Sequence, residues 1–85
     1  MKNDQKEKIR NFLKIKIFKK KNLANINKKD IFRFSDIDSV SILKLIIQVE
    51  SKYKIKFTDN DLFVKKFNTI DNITNIILKK INIKK

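Results

Sequence analysis

The chain has 85 residues, 22 of them lysine or arginine and 9 aspartate or glutamate, for a net charge of +13. That length supports one small domain, able to bury roughly 60–65% of the surface its unfolded chain exposes. The absence of cysteine and histidine excludes disulfides, thiolate metal sites and the commonest general base at neutral pH, so stability must come from apolar packing and an independent hydrolase is not expected.

Glycine and proline are also absent, so element boundaries are read from caps and periodicity, to within a few residues. Asn3 or Asp4 is placed to cap a first helix over about residues 4–18, in which Ile9, Phe12, Leu13 and Ile17 recur on one face. Periodicity then fades. A long first loop, about residues 19–37, holds Leu23, Ile26, Ile31, Phe32 and Phe34 as the side chains available to pin it down.

The next segment, DSVSILKLIIQVESKY, is too long for a strand and predicts the central helix. Leu45, Val49 and Tyr53 share one stripe of it, widened by Leu43, Ile46 and Ile47, while Val40, Leu43 and Ile47 lie on the flank toward the helix start. Thr58 offers a hydroxyl cap to a short helix over about residues 59–65, with Asp59 and Asp61 in its first turn. Thr69 caps a last helix over about residues 70–81, burying Ile70, Ile73, Ile76 and Ile77 and carrying Lys79 and Lys80 in its final turn. The fold expected is all-α, a single-domain bundle of three main helices plus one short helix, with a long first loop.

The longest aliphatic runs, Leu45-Ile46-Ile47 and Ile76-Ile77-Leu78, fall far short of the roughly 20 residues of a membrane span. Lys14 and Lys16 interrupt the first apolar stretch, so no signal-peptide core is expected there and a cytoplasmic monomer is. The charge is unevenly spread. Residues 1–35 carry 12 basic and 3 acidic side chains, residues 36–61 carry 4 and 5, and residues 62–85 carry 6 and 1.

Two accounts of this basicity stand side by side. Lysine, isoleucine and asparagine, all with A- and T-rich codons, make up more than half of the chain, so genome composition can supply lysines to solvated faces. Alternatively the chain is a basic helical module that binds nucleic acid or an anionic membrane surface. Against that alternative stand the near-neutral central segment and the presence of only two arginines, Arg10 and Arg33, where base readout favours more. Nucleic acid is therefore not the expected partner.

The stretch FSDIDSVSILKL places Ser39 at the mouth of the central helix. The ordinary role of such a serine is to cap, its oxygen accepting a backbone N–H two or three residues on. Asp38 can do this equally well. A nucleophilic serine needs a base, and with no histidine in the chain Ser39 is a poor catalyst; no catalytic or metal-binding residue is expected. As an acceptor activated by another enzyme it is well placed, because a phosphate ester at a helix N-terminus meets free N–H groups and the positive end of the dipole.

DIDSVSILKLIIQVESKYKIKF resembles the central helix of the acyl carrier proteins, whose Asp-Ser-Leu hallmark sets a serine at that helix start to receive 4'-phosphopantetheine. IFRFSDIDS resembles the family's apolar loop leading to the serine, and VESKYKIKF matches its acid, aromatic and alternating apolar positions. IRNFLKIKIF is similar to the first helix, and FNTIDNITNIIL to the start of the last, so the resemblance covers about residues 5–81.

The resemblance implies that Ser39 is the attachment site, with Asp38 assisting a phosphopantetheinyl transferase and its metal. Val40, Leu43, Ile46 and Ile47 would border the arm and the surface that meets partners, and Leu45, Val49, Tyr53 and Phe57 match core positions. The partners implied are that transferase and the enzymes that load and process acyl or aminoacyl groups, in fatty-acid or specialised biosynthesis. The carrier itself would catalyse nothing.

Three departures accompany the match. Ser35 stands where the family has a glycine, which bears on the loop geometry. Lys44 occupies a central-helix position usually acidic, and Lys52 and Lys54 load that helix's end, so a complementary partner surface would be less basic, or even acidic. DNDLFVKKFNT is about two residues longer than in housekeeping carriers and closer to specialised ones.

Overall fold

The computed structural model describes residues 2–19, 25–63 and 65–84, with side chains from Asp4 to Asn82 within those stretches. Every regular element among them is helical: α1 (Lys2–Ile17), a single 3-10 turn at Ile26–Lys28, α2 (Ile31–Phe34), α3 (Ser39–Tyr53) and α4 (Ile70–Lys84). The architecture is the small all-α bundle with three main helices that the patterning predicts, but its one short helix, α2, lies within the expected first loop and not at 59–65. No helix among the described residues is long and apolar enough to cross a membrane.

The core follows the helical period. Ile9, Leu13 and Ile17 of α1, Leu45 and Val49 of α3, and Ile70, Ile73 and Ile77 of α4 are buried together with Phe18, Ile31, Ile55 and Phe67. Phe12, Tyr53, Phe57 and Ile76 sit half-buried at its margin. The Phe12 and Tyr53 rings meet edge to face at 6.3 Å and clamp α1 to α3. Arg10 then ties α1 to α4, its Nε and Nη2 reaching Asp71 Oδ1 at 3.0 and 2.9 Å while Nη1 holds Glu7 at 3.0 Å.

α1 begins two residues earlier than expected, so Asp4 lies in its first turn and neither Asp4 nor Asn3 is the cap. α4 runs on to Lys84, which leaves Lys79 and Lys80 short of its last turn. Its start is as predicted, since Thr69 Oγ1 accepts from Asn72 N–H at 3.0 Å.

The first loop is shorter in irregular chain than its lack of periodicity implies, because it contains the 3-10 turn and α2. Asp30 caps α2 by accepting from Phe32 N–H at 2.9 Å. Of the five expected pins, Ile31 is fully buried and Ile26 packs against the core, but Phe32 and Phe34 are exposed and Leu23 lies outside the described residues. In a four-residue helix only one face can meet the core, and Ile31 occupies it. Ile31 N–H also donates to the Asn68 carbonyl at 2.8 Å, fastening the loop to the entrance of α4.

The expected helix at 59–65 is not formed; the described residues there make turns. Its start signal is nevertheless satisfied, with Thr58 N–H donating to Asp61 Oδ2 at 2.8 Å and Asp61 N–H to Thr58 Oγ1 at 3.2 Å, the reciprocal pattern of a capping box. One helical-type bond follows, Phe67 N–H to the Phe63 carbonyl at 2.9 Å, but it is not extended into a helix; Phe67 is buried edge to face against Phe57 at 5.5 Å and Phe63 is 62% exposed.

Asp61 also pairs with Lys80 of α4 at 2.7 Å. Partial burial works to raise its pKa, but the Lys80 ammonium and the Thr58 N–H and hydroxyl outweigh it, holding the carboxyl below its ordinary value. A depressed folded pKa adds stability that is present above the unfolded value, near 4, and is lost as pH falls through the folded one. Asp61→Asn is therefore expected to flatten the acid limb of stability below about pH 4 in urea titrations. An unchanged acid slope would remove this pair from the account.

With no glycine available, three of the described residues take left-handed backbone: Lys19, Asn25 and Lys54. Asparagine tolerates it, whereas a lysine there costs about 1–2 kcal/mol. At Lys54 (φ 55°, ψ 50°) the strain ends α3 cleanly, as the Lys54 and Ile55 N–H groups both reach the Glu50 carbonyl.

Candidate functional site

The mouth of α3 is built by Asp38. Its backbone is extended (φ −109°, ψ −178°), its carboxylate accepts from Ser41 N–H at 2.8 Å, and its carbonyl accepts from Ile42 N–H at 2.9 Å. The Ser41 N–H and then the Ser41 hydroxyl, with a smaller contribution from Lys44, hold the Asp38 carboxyl below its ordinary pKa. Asp38 therefore stays an ionised cap.

Ser39 consequently does not cap, contrary to the ordinary expectation for its position. It is the first residue of α3, exposed, and its hydroxyl has no hydrogen-bond partner among the described residues. No group of three or more potential metal ligands occurs among the described residues. What the arrangement offers is an accessible, unencumbered hydroxyl beside free N–H groups of a helix start.

Ser35 resolves the question its sequence position raises. Its backbone is extended (φ −124°, ψ 170°), a conformation that needs no glycine. Its hydroxyl donates to the Ile31 carbonyl and accepts from Ile37 N–H at 3.2 Å. The serine thus closes α2 and steers the chain toward Asp38, two tasks a glycine could not perform. The signal for this lay in the local motif, since Ser/Thr hydroxyls readily satisfy turn backbone.

Beyond Ser39, α3 has two apolar faces. Leu45 and Val49 are buried, with Ile42, Ile46 and Tyr53 half-buried beside them. Val40, Leu43 and Ile47, one every three or four residues, are 60, 58 and 64% exposed and form a ridge running away from the helix mouth. One expectation is corrected here: Leu43 and Ile47 do not widen the core stripe, whereas Ile46 does so as expected, half-buried against the core. Lys44 is exposed next to the ridge.

A cleft of about 190 Å³ opens beside the helix mouth, lined by Lys16, Ile17, Phe18, Lys19, Asp36, Ile37 and Ser41. It sets apolar wall and lysines within the first turn of Ser39's helix. Sequence reasoning did not anticipate Lys16 or Lys19 here, because their approach depends on how α1 lies across the bundle. No family model matches the chain, and neither a curated protein nor a solved structure matches it.

Proposed function

We propose that the protein is an acyl carrier that bears 4'-phosphopantetheine on Ser39 and works as a cytoplasmic monomer with a phosphopantetheinyl transferase and acyl- or aminoacyl-handling enzymes. The observation that carries the reading is the division of labour at the helix mouth: Asp38 caps α3 and leaves the Ser39 hydroxyl exposed and uncommitted. When attached, the arm supplies the thiol that holds the cargo as a thioester, and the chain has no cysteine of its own to compete with it.

The residues present fit such a group. Ser39 presents the acceptor oxygen, and the first turn of α3 offers N–H groups and the dipole's positive end to a phosphodiester. Asp38 holds that turn in register and stays charged beside the site. Val40 and Leu43 flank the attachment point with exposed apolar surface. The chain performs no chemistry; a rigid bundle with a tethered group raises the effective concentration of cargo at each partner.

The test is intact-mass measurement after treatment with several broad-specificity phosphopantetheinyl transferases, at low and high salt. The expected result is a gain of one arm, retained in Ser41→Ala and absent in Ser39→Ala. No gain with any transferase, or a gain that survives Ser39→Ala, would overturn the assignment.

A further inference from the structure

One cleft of the bundle takes no wall from α3. Asn72, Ile76, Lys79 and Lys80 recur at spacings of three and four on α4 and so share one side of it. Lys65 and Lys66 line the same cleft from the turns that precede α4. The Lys66 N–H donates to the Phe63 carbonyl at 2.8 Å and the adjoining Phe67 is buried in the core, so this piece of chain is held against the bundle. Together with Asp61 these residues enclose about 440 Å³, open on one side to solvent.

The acids of this region are already engaged. Asp61 pairs with Lys80 at 2.7 Å and accepts from Thr58 N–H at 2.8 Å, and Asp71 is held by Arg10 at 2.9 Å. Lys65, Lys66 and Lys79 are exposed and have no acidic partner among the described residues. The cleft therefore gathers four ammoniums against one carboxylate, an excess that a recess between low-dielectric walls focuses. Asn72 adds a neutral donor. One N–H of its amide goes to Asn68 Oδ1 at 2.8 Å, which fixes the group and leaves the second N–H available to an anion.

From this cleft we infer that the protein binds a small, multiply charged phosphate compound, one in which two or more phosphoryl groups are bonded in sequence. Such a group concentrates several negative charges within the span of a single cleft, and lysine ammoniums meet phosphoryl oxygens as point charges without demanding one fixed geometry. Nucleic acid carries one charge per about 3.4 Å of each strand and rewards a long basic track more than one recess. An anionic bilayer rewards apolar side chains that reach into it, whereas Ile76, the apolar residue in this lining, is half-buried. The site is independent of the carrier reading, since neither Ser39 nor any other residue of α3 lines it.

The test is isothermal titration calorimetry of the full chain with inorganic triphosphate in about 150 mM salt, where a Debye length of about 8 Å screens charges outside the cleft. The expected result is saturable binding of one triphosphate per chain, with inorganic phosphate at least tenfold weaker. Lys65→Glu combined with Lys79→Glu is expected to weaken triphosphate at least tenfold, and the milder pair Lys65→Gln with Lys79→Gln at least threefold. Lys8→Glu combined with Lys44→Glu makes the same change in net charge at exposed positions on α1 and α3, and is expected to cost less than threefold. Circular dichroism confirms that the variants remain folded.

Adenosine triphosphate separates the sources of the phosphoryl chain. Binding equal to that of inorganic triphosphate assigns the cleft to phosphates alone, and tighter binding adds a nucleoside to the ligand; both support the site. Equal losses in the cleft and control glutamate pairs would reduce the binding to net charge and overturn the inference. So would the absence of saturable binding, or tighter binding of duplex DNA or anionic vesicles that is lost in the cleft variants.

Discussion

Leu13→Ala is expected to lower stability by about 2–5 kcal/mol, the cost of deleting a fully buried aliphatic side chain and leaving a cavity. Leu13 is completely buried in the core cluster that α1 shares with α4. A chain of this size holds only on the order of 4–13 kcal/mol in total. The variant should melt lower by about 4–8 °C for each kcal/mol lost, as read by thermal circular dichroism. Ile15→Ala is the control, because Ile15 is 66% exposed and its loss should stay within about 0.5 kcal/mol. Equal losses at the two positions would mean that α1 presents a different face to the bundle.

Ile31→Ala carries the second large effect, again about 2–5 kcal/mol, and reaches the candidate site. Ile31 is the buried residue of α2; its N–H binds Asn68 and its carbonyl receives both Ser35 N–H and the Ser35 hydroxyl. Removing its side chain loosens the piece of chain that delivers Asp38 and Ser39 to the start of α3. Hydrogen exchange at Phe34 and Ser35 should accelerate along with global destabilisation, whereas Phe32→Ala, at an exposed position, should cost under about 1 kcal/mol. If Phe32→Ala proved as costly as Ile31→Ala, the loop would be pinned otherwise than described.

The contrast between Ile31 and Phe32 shows where legibility stops. Both are large, apolar and set among lysines and asparagines, and no period within four residues tells them apart. In α1 the residues LKIKIF alternate as a strand would, yet spacing against Ile9 selects Leu13 and Ile17 and leaves Ile15 outside, because sixteen residues establish a helical period. The turn at 58–62 reads locally as a helix start and makes the expected cap bonds. The described residues nevertheless continue as turns, with Phe67 in the core and Phe63 exposed.

At the candidate site the sequence settled which residues stand at the helix mouth but not their division of labour. Asp38 and Ser39 are both competent caps, and the choice follows from where the chain leaving Ser35 enters α3. The apolar residues of α3 were likewise legible as a set. Which of them face solvent depends on the side from which α1 and α4 approach.

Taken alone, the sequence determined an all-α chain without thiol or imidazole chemistry, the three main helices, most of the buried positions on α1 and α4, and Ser39 as the hydroxyl to watch. These follow from composition and from long helical periods, which are local properties. Tertiary structure decided that Asp38 caps and frees Ser39, that Val40, Leu43 and Ile47 remain outside while Ile46 turns in, and that residues 59–62 stay a turn. Each of these is a contest between groups equally suited by local chemistry, and only contacts distant in sequence can break the tie.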